Sequence, residues 1–537
     1  MKRRHLQPNT RTFTTLFVGL SRIDDWSPYS NILQRVFSTY DQLLAHFEKL
    51  KAKNPESKDI NPWPINSFLA LLGKAHHHSK MWDVFFSMEG RLAPDEYTYT
   101  VMLQALQART SLDKQPVRSD LETEEAEIMD PFEKARWEDH FNVDDVPEEQ
   151  WRLDKPKDEN EKAKESIHHK NAADARILWE YILKANKKDP EAIPLSSYLI
   201  APTLHLLARG RPTDWKLAFD IVSQYVRIKN PKGTVAEKRP NAIGLNGPLF
   251  FAILELCIRG ARSELAVEYF QLIAEDKEMK KIIDSGHMTY IVRAFAMRRP
   301  PRGQRHDARE AISALHWMLR VPGSGEFSDD LRKLNPSIHH FVYALTAAWR
   351  GADMSSALAV LELMTGLERA QFMVPTPAVR ENDAGWPRHP KFVGCPWNVT
   401  CMALLVKTAE TTQKRDNMRI AMRVVNTATP WRFFYKPQGG EPLKAETVSA
   451  QRELAKGVIR VADLLLRQGG AEVESNVWQK LKSVAVSESK RLNKVVISNL
   501  QDDLKDEELR KAGMVKDGVM QLLVTLKGRK SAWATNA

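Results

Sequence analysis

Apolar residues along this chain recur with helical period, in blocks that come two at a time. The clearest run is Pro62 to Arg109: helix, turn, helix, an Ala-Pro-Asp stop, then the start of another helix of the first kind. In its first helix Phe68, Leu69 and Leu72 form a stripe at helical spacing. A second helix is expected from about Lys80 to Glu89, burying Trp82, Phe85, Phe86 and Met88. Pro94 blocks continuation and Asp95 can cap the next helix, whose apolar face is Tyr99, Met102, Leu103 and Leu106. Neither helix of such a pair can bury its stripe alone, so the unit must stack on copies of itself.

The same alternation extends in both directions. Upstream, Thr12–Arg22 precedes a long second helix, Gln34–Leu50, with Phe37, Tyr40, Leu43, Leu44 and Phe47 on one side. Downstream, Tyr198–Ala208 leads to Trp215–Tyr225, Leu249–Cys257 to Glu264–Ile273, and Met288–Ala296 to Ala308–Leu319. Ile338–Trp349 then leads to Met354–Met364, and Val399–Leu405 to Met418–Thr427; with the helix that starts at Glu96, whose second helix is expected only at Ala172–Ala185, this gives about eight pairs. Helical segments over Glu446–Arg467 and from Val473 to about Thr525 lack the paired signature and read as a terminal cap, which a stack of this kind needs. His76-His77-His78 falls between two helices. Three consecutive histidines cannot share a helical face, so they read as a polar turn rather than a metal site.

The entry to the first helices carries a motif. Gln7-Pro8-Asn9-Thr10-Arg11-Thr12-Phe13-Thr14 has the layout of Ala93-Pro94-Asp95-Glu96-Tyr97-Thr98-Tyr99-Thr100. The unit from Pro62 to Asp95 is 34 residues long. These residues resemble the pentatricopeptide repeat (PPR) family, whose units of about 35 residues open with Pro-Asp-x-x-Thr-Tyr-Asn-x-Leu-Ile. The likeness is specific over residues 7–109, loose over 195–430 and absent beyond. The Trp, Leu-Gly, Tyr and closing Pro of the tetratricopeptide family are missing.

The resemblance implies an all-α, right-handed α-solenoid of helix-turn-helix repeats with a C-terminal helical segment. It divides the chain into N-terminal repeats (1–110), an acidic insertion (111–170) expected to be disordered, degenerate helical pairs with long loops (171–430) and a C-terminal helical cap (431–537). It also implies a binding mode in which each repeat presents two or three side chains to one base of single-stranded RNA. By family pattern the readers are the fifth residue of the first-helix motif and the last residue of the repeat. That assigns Thr14 with Asn61 and Asn66 with Asp95, then Thr100. The first pair looks like an adenine reader and the second like a uracil reader. Later fifth places fall at Phe250, Thr289, His339 and Thr400, of which Phe250 and His339 depart from the pattern. As expectations these make the chain a mitochondrial RNA-binding protein, acting in organellar RNA processing, stability or translation on messenger or ribosomal RNA. The rival expectation is a structural protein-protein scaffold, such as a component or assembly factor of the small subunit of the mitochondrial ribosome. The basic start Met1–His5 is followed too soon by a repeat helix to be a full transit peptide, so the matrix location rests on the resemblance.

Charge sharpens the picture. Of a formal net +11, residues Ser111 to Glu165 hold 19 acidic and 9 basic side chains, leaving +21 on the rest. A basic body suits a nucleic-acid partner. Its most basic loop carries Arg298, Arg299 and Arg302 around Pro300-Pro301, candidates for phosphate contact. Three cysteines, Cys257, Cys395 and Cys401, make no disulfide framework and no CxxC site. No apolar run is long enough to span a membrane. No phosphate-binding loop, dinucleotide fingerprint, HExxH or GxSxG occurs, so no enzyme activity, cofactor or metal is expected.

Overall fold

A computed structural model describes residues 8–23, 26, 29–109, 159–228, 242–276, 279–298, 307–320, 334–366, 369–373, 399–427, 445–468 and 474–492. The chain divides into two compact units, Met1–Tyr290 and Ile291–Ala537. The rest of the acidic stretch (110–158), Arg299, Arg302, Cys395 and the C-terminal residues from 493 lie outside the described residues.

In the first unit, five first helices follow one another: α1 (Thr10–Leu20), α3 (Trp63–Lys74), α5 (Glu96–Arg109), α7 (Ser197–Ala208) and α9 (Gly247–Arg259). Each packs on the next, forming one continuous layer. The second helices α2 (Ser30–Lys53), α4 (His78–Phe86), α6 (Glu159–Lys188), α8 (Pro212–Tyr225) and α10 (Ser263–Glu275) each pack against their own first helix, building the other layer. This is the stack of helix pairs that the apolar periodicity requires. Between the layers lies an almost unbroken core in which Phe17, Phe68, Leu72, Leu103, Leu106, Leu204 and Leu256 are fully buried or nearly so. Burying each such side chain contributes about 1.5–3 kcal/mol. Phe68 stacks on Tyr40 at 4.2 Å between ring centres, tying α3 to α2.

Two expected core residues do not belong to it. Phe86 is 53% exposed and Leu44 is 38% exposed. α2 instead buries Leu33, Val36, Tyr40, Leu43 and Phe47, a clean helical series. α4 stops at Phe86, and a single 3₁₀ turn, Gly90–Leu92, follows.

α6 is the delayed partner of α5, and it starts at Glu159, before the end of the expected insertion. Two polar clamps hold the pair together across the intervening sequence. Buried Asn171 donates to the Leu106 carbonyl at 3.0 Å, and Arg109 Nη1 donates to Asn171 Oδ1 and Asp174 Oδ2 at 2.9 Å each. The only strands among the described residues are two-residue segments, Val226–Arg227 and Ile243–Gly244, paired in parallel.

One turn recurs between the helices of a pair. His76, Ala261 and Ala352 have φ of 65°, 54° and 49°, in the left-handed region. In each case the next amide reaches back five residues: His77 to Leu72, Arg262 to Cys257, Asp353 to Ala348, at 2.8–3.0 Å. This is the Schellman ending, which satisfies the last free carbonyls of the first helix and reverses the chain. His76 and His77 therefore lie in the turn, whereas His78 already opens α4. Among the described residues no group of three or more His, Cys, Asp or Glu side chains is arranged to hold a metal ion.

α11 (Ser285–Met297) contains the division between the units. In the second unit, α12 (Asp307–Arg320) packs on α13 (Ile338–Arg350), which pairs with α14 (Met354–Thr365). α16 (Val399–Thr412) packs on α13, pairs with α17 (Arg415–Thr427) and is covered by α18 (Ala445–Arg467). A short helix, α15 (Ala370–Met373), and a last helix over 474–492 close this end. Arg423 on α17, 9% exposed, pins both: its Nη1 donates to the Phe372 and Met373 carbonyls at 3.0 Å, and its Nη2 pairs with Glu474 at 2.5 Å.

Candidate nucleic-acid interface

Four of the five first helices of the first unit have an Asn or Asp at their start whose side chain accepts a backbone amide; the side chain of Ser196, the capping residue of α7, makes no such bond. Asn9 accepts from the Thr12 amide at 2.9 Å, Asn61 from the Trp63 amide at 3.2 Å, Asp95 from the Thr98 amide at 2.7 Å and Asn246 from the Leu249 amide at 3.0 Å. Such caps satisfy amides that a helix start leaves unpaired.

The second residue beyond the cap is Arg11 in α1, Trp63 in α3, Tyr97 in α5 and Tyr198 in α7. The three rings are 67%, 58% and 74% exposed, among the most exposed large hydrophobic side chains described. They lie two residues after Asn61, Asp95 and Ser196 on helices that pack in succession, a row of like positions on neighbouring helices whose axes pack roughly 8–10 Å apart. Burial does not account for them. A reader of the sequence had the signal available: Asn61-Pro-Trp63, Asp95-Glu-Tyr97 and Ser196-Ser-Tyr198 share one spacing.

Beneath the rings runs a ladder of hydrogen bonds from each helix start to the next. Thr10 Oγ1 donates to the Asp59 carbonyl at 3.3 Å. Asn66 Nδ2 donates to Asp95 Oδ1 at 3.0 Å, and Thr98 Oγ1 to Asn66 Oδ1 at 2.7 Å. The Ser196 hydroxyl donates to Glu96, Asn246 Nδ2 to Ser197 Oγ at 2.8 Å, and His287 Nε2 to the Gly247 carbonyl at 2.8 Å.

The expected base readers fall on this ladder or beside it. Thr14, Asn66 and Thr100 lie five residues after Asn9, Asn61 and Asp95, and Thr289 five after Asp284, whose side chain accepts from the His287 amide. Asn66 is corrected as a reader: it is fully buried, and both ends of its amide are engaged by Asp95 and Thr98. The two residues assigned to one base hold each other instead. Thr14, Thr100 and Thr289 donate to the carbonyls of Thr10, Glu96 and Ser285 in their own helices, at 3.0–3.1 Å. Asn61 folds onto its own turn, donating to the Lys58 and Asp59 carbonyls at 3.2 and 3.3 Å. The cap at Asn246 moves the fifth place in α9 from Phe250, which is fully buried, to Phe251. The cap at Ser337 moves it in α13 from exposed His339 to Val342. Thr400 is the second residue of α16.

Arg298 is also reassigned. Its guanidinium pairs with Asp307 through Nε at 2.8 Å and through Nη2, so its charge is used in the fold. Other cations near helix ends are similarly engaged. Glu255, fully buried in α9, receives His205 at 2.5 Å, Arg259 at 2.9 Å and Arg209 at 3.2 Å. Burial pushes its carboxyl up, but the His205 hydrogen bond and the three positive partners overcome that and hold it at about 2.

No family model matches this chain, and no curated protein does. Among solved structures it is similar to the pentatricopeptide repeat protein PPR10 from maize, with 12% identity over 93% of this chain and 70% of that one, at a TM-score of 0.25. Two helical proteins reach such a score without sharing a superposable arrangement, so the geometry above stands on this chain's own residues.

Proposed function

We propose that this protein binds single-stranded RNA along the starts of its first helices, with Trp63, Tyr97 and Tyr198 as stacking platforms and Arg11 at the end of the row. The observation that carries this reading is the row itself: three exposed rings at one register position on three successive helices. Unstacked bases lie on aromatic faces and on guanidinium planes in single-strand recognition, and such contacts tolerate any base. The excess positive charge outside the acidic stretch supplies the long-range attraction. With Asn66 and Asp95 turned inward, affinity comes from stacking and charge more than from base-edge reading. A mitochondrial setting, and a part in RNA processing, stability or translation, complete the proposal on the strength of the sequence resemblance over 7–109.

A scaffold role on the mitochondrial ribosome is the second reading, favoured by the same inward turn of the expected readers. Photocrosslinking of single-stranded RNA to the full chain, with the crosslinked residues mapped by mass spectrometry, separates the two. Adducts on Trp63, Tyr97 and Tyr198 support RNA stacking. Adducts only elsewhere, or none, leave the scaffold.

A further inference from the structure

A second exposed aromatic surface lies on the other layer and has no part in the row described above. On α4, Trp82 stacks on Phe86 at 5.3 Å between ring centres. Phe86 meets Tyr181 of α6 at 5.8 Å, and buried Phe85 meets both Tyr181, at 6.0 Å, and Tyr99, at 5.7 Å. Phe86 is 53% exposed, Ile177 44% and Tyr181 40%. Core packing thus explains Phe85 but leaves an apolar face of Trp82, Phe86, Ile177 and Tyr181 turned outward. An apolar face of this kind marks a contact surface.

Its surroundings are basic. The Lys184 ammonium lies 5.6 Å from the centre of the Tyr181 ring. Lys187 and Lys188 follow, exposed, in the last turn of α6, and half-exposed Lys80 stands in the first turn of α4. The acidic groups nearby are Glu180 and Asp83, and Asp83 faces Lys80 at 3.8 Å.

The chain carries a complement to this face. Residues 110–158 hold 16 acidic and 7 basic side chains, and they include Phe132, Trp137, Phe141 and Trp151. They leave from the end of α5 and return at the start of α6, the two helices next to the aromatic face. Glu159 and Ile177 are separated by 18 residues of helix, about 27 Å. A chain of 49 residues has a typical span of about 35–40 Å, so the face is within reach, and tethering gives an effective concentration of order millimolar.

We propose that the face formed by Trp82, Phe86, Ile177 and Tyr181 is the docking surface for the acidic stretch 110–158 of the same chain. Its aromatic residues cover the rings and its carboxylates meet Lys80 and the lysines of α6. Zero-length carboxylate–lysine crosslinking of the full-length protein tests this. The expected products join Asp or Glu of 110–158 to Lys80 and Lys184, in preference to other exposed lysines of the same unit such as Lys49 and Lys51. The double change Phe86→Ser and Tyr181→Ser should lower their yield at least threefold with helicity unchanged. If the double variant loses its fold, Lys184→Glu keeps the test: products at Lys80 should fall by a similar factor. Crosslinks spread evenly over the protein's lysines, a yield insensitive to these changes, or products only between differently labelled copies would each overturn the proposal.

Discussion

At the scale of single residues, the polar side chains that looked like readers prove to be joints. Asn66 was legible in the sequence as a polar fifth residue and therefore as a candidate reader. What the sequence could not show was that Thr98 and Asp95, from the next repeat, close around it. Losing a buried group that satisfies two partners costs about 1–3 kcal/mol. Asn66→Thr should therefore lower stability measurably in a denaturant titration. Two further joints carry a pH signature. Burial, with Arg109, His76, Lys170 and His77 nearby, lowers the pKa of His78 to about 3, and neither ring nitrogen has a hydrogen-bond partner. Its unfolded form takes up a proton below about 6.5, so it costs stability as pH falls from there toward 3. Glu255, held at about 2 against 4.5 unfolded, contributes stability above 4.5 that is lost as pH falls toward 2. His78→Gln should flatten the upper part of the acid limb. Glu255→Gln should flatten the lower part while lowering stability at neutral pH, because Arg209, Arg259 and His205 lose their shared buried partner. Chemical denaturation at a series of pH values separates the two.

At the scale of elements, the turn between paired helices was easier to locate than to explain. Gly260 and Gly351 mark two of them in the sequence, yet the left-handed residue is the alanine that follows. A left-handed conformation costs a side-chain-bearing residue roughly 1–2 kcal/mol relative to glycine. Ala352→Gly should accordingly raise stability, by up to about 1 kcal/mol. The opposite sign is expected at Gly73, where α3 and α5 approach so closely that an added Cβ would lie 2.6 Å from the Ala105 Cβ. Helix propensity favours Gly73→Ala by about 1 kcal/mol, but overpacking costs about 1–3, so the thermal midpoint should drop. Helix positions themselves were readable because residues such as Tyr40, Leu43 and Phe47 repeat at helical spacing, although Leu33 and Val36 rather than Phe37 and Leu44 complete that buried series. Phe86 defeated that reading because periodicity cannot tell a core ring from one that faces outward.

At the scale of the whole molecule, the stack of helix pairs follows from stripes that no single pair can bury, and it was legible from the repeated entry motif. The row of rings was not found from sequence, although its spacing was present, because the family pattern drew the eye to the fifth residues and away from the second. The proposed role of the row is that exposed Trp63, Tyr97 and Tyr198 serve as stacking platforms for single-stranded RNA. Replacing all three with Ala should leave the fold within about 0.5 kcal/mol, since exposed substitutions rarely cost more. Each lost stacking contact is worth about 1–3 kcal/mol, which at the lower end amounts to more than about 100-fold in affinity for the three together. Fluorescence anisotropy of a labelled single-stranded RNA, titrated with wild type and the triple variant at one fixed salt concentration, reads this directly. A loss of that size with the thermal midpoint unchanged is the predicted result. Equal affinities for a folded triple variant and the wild type would contradict it.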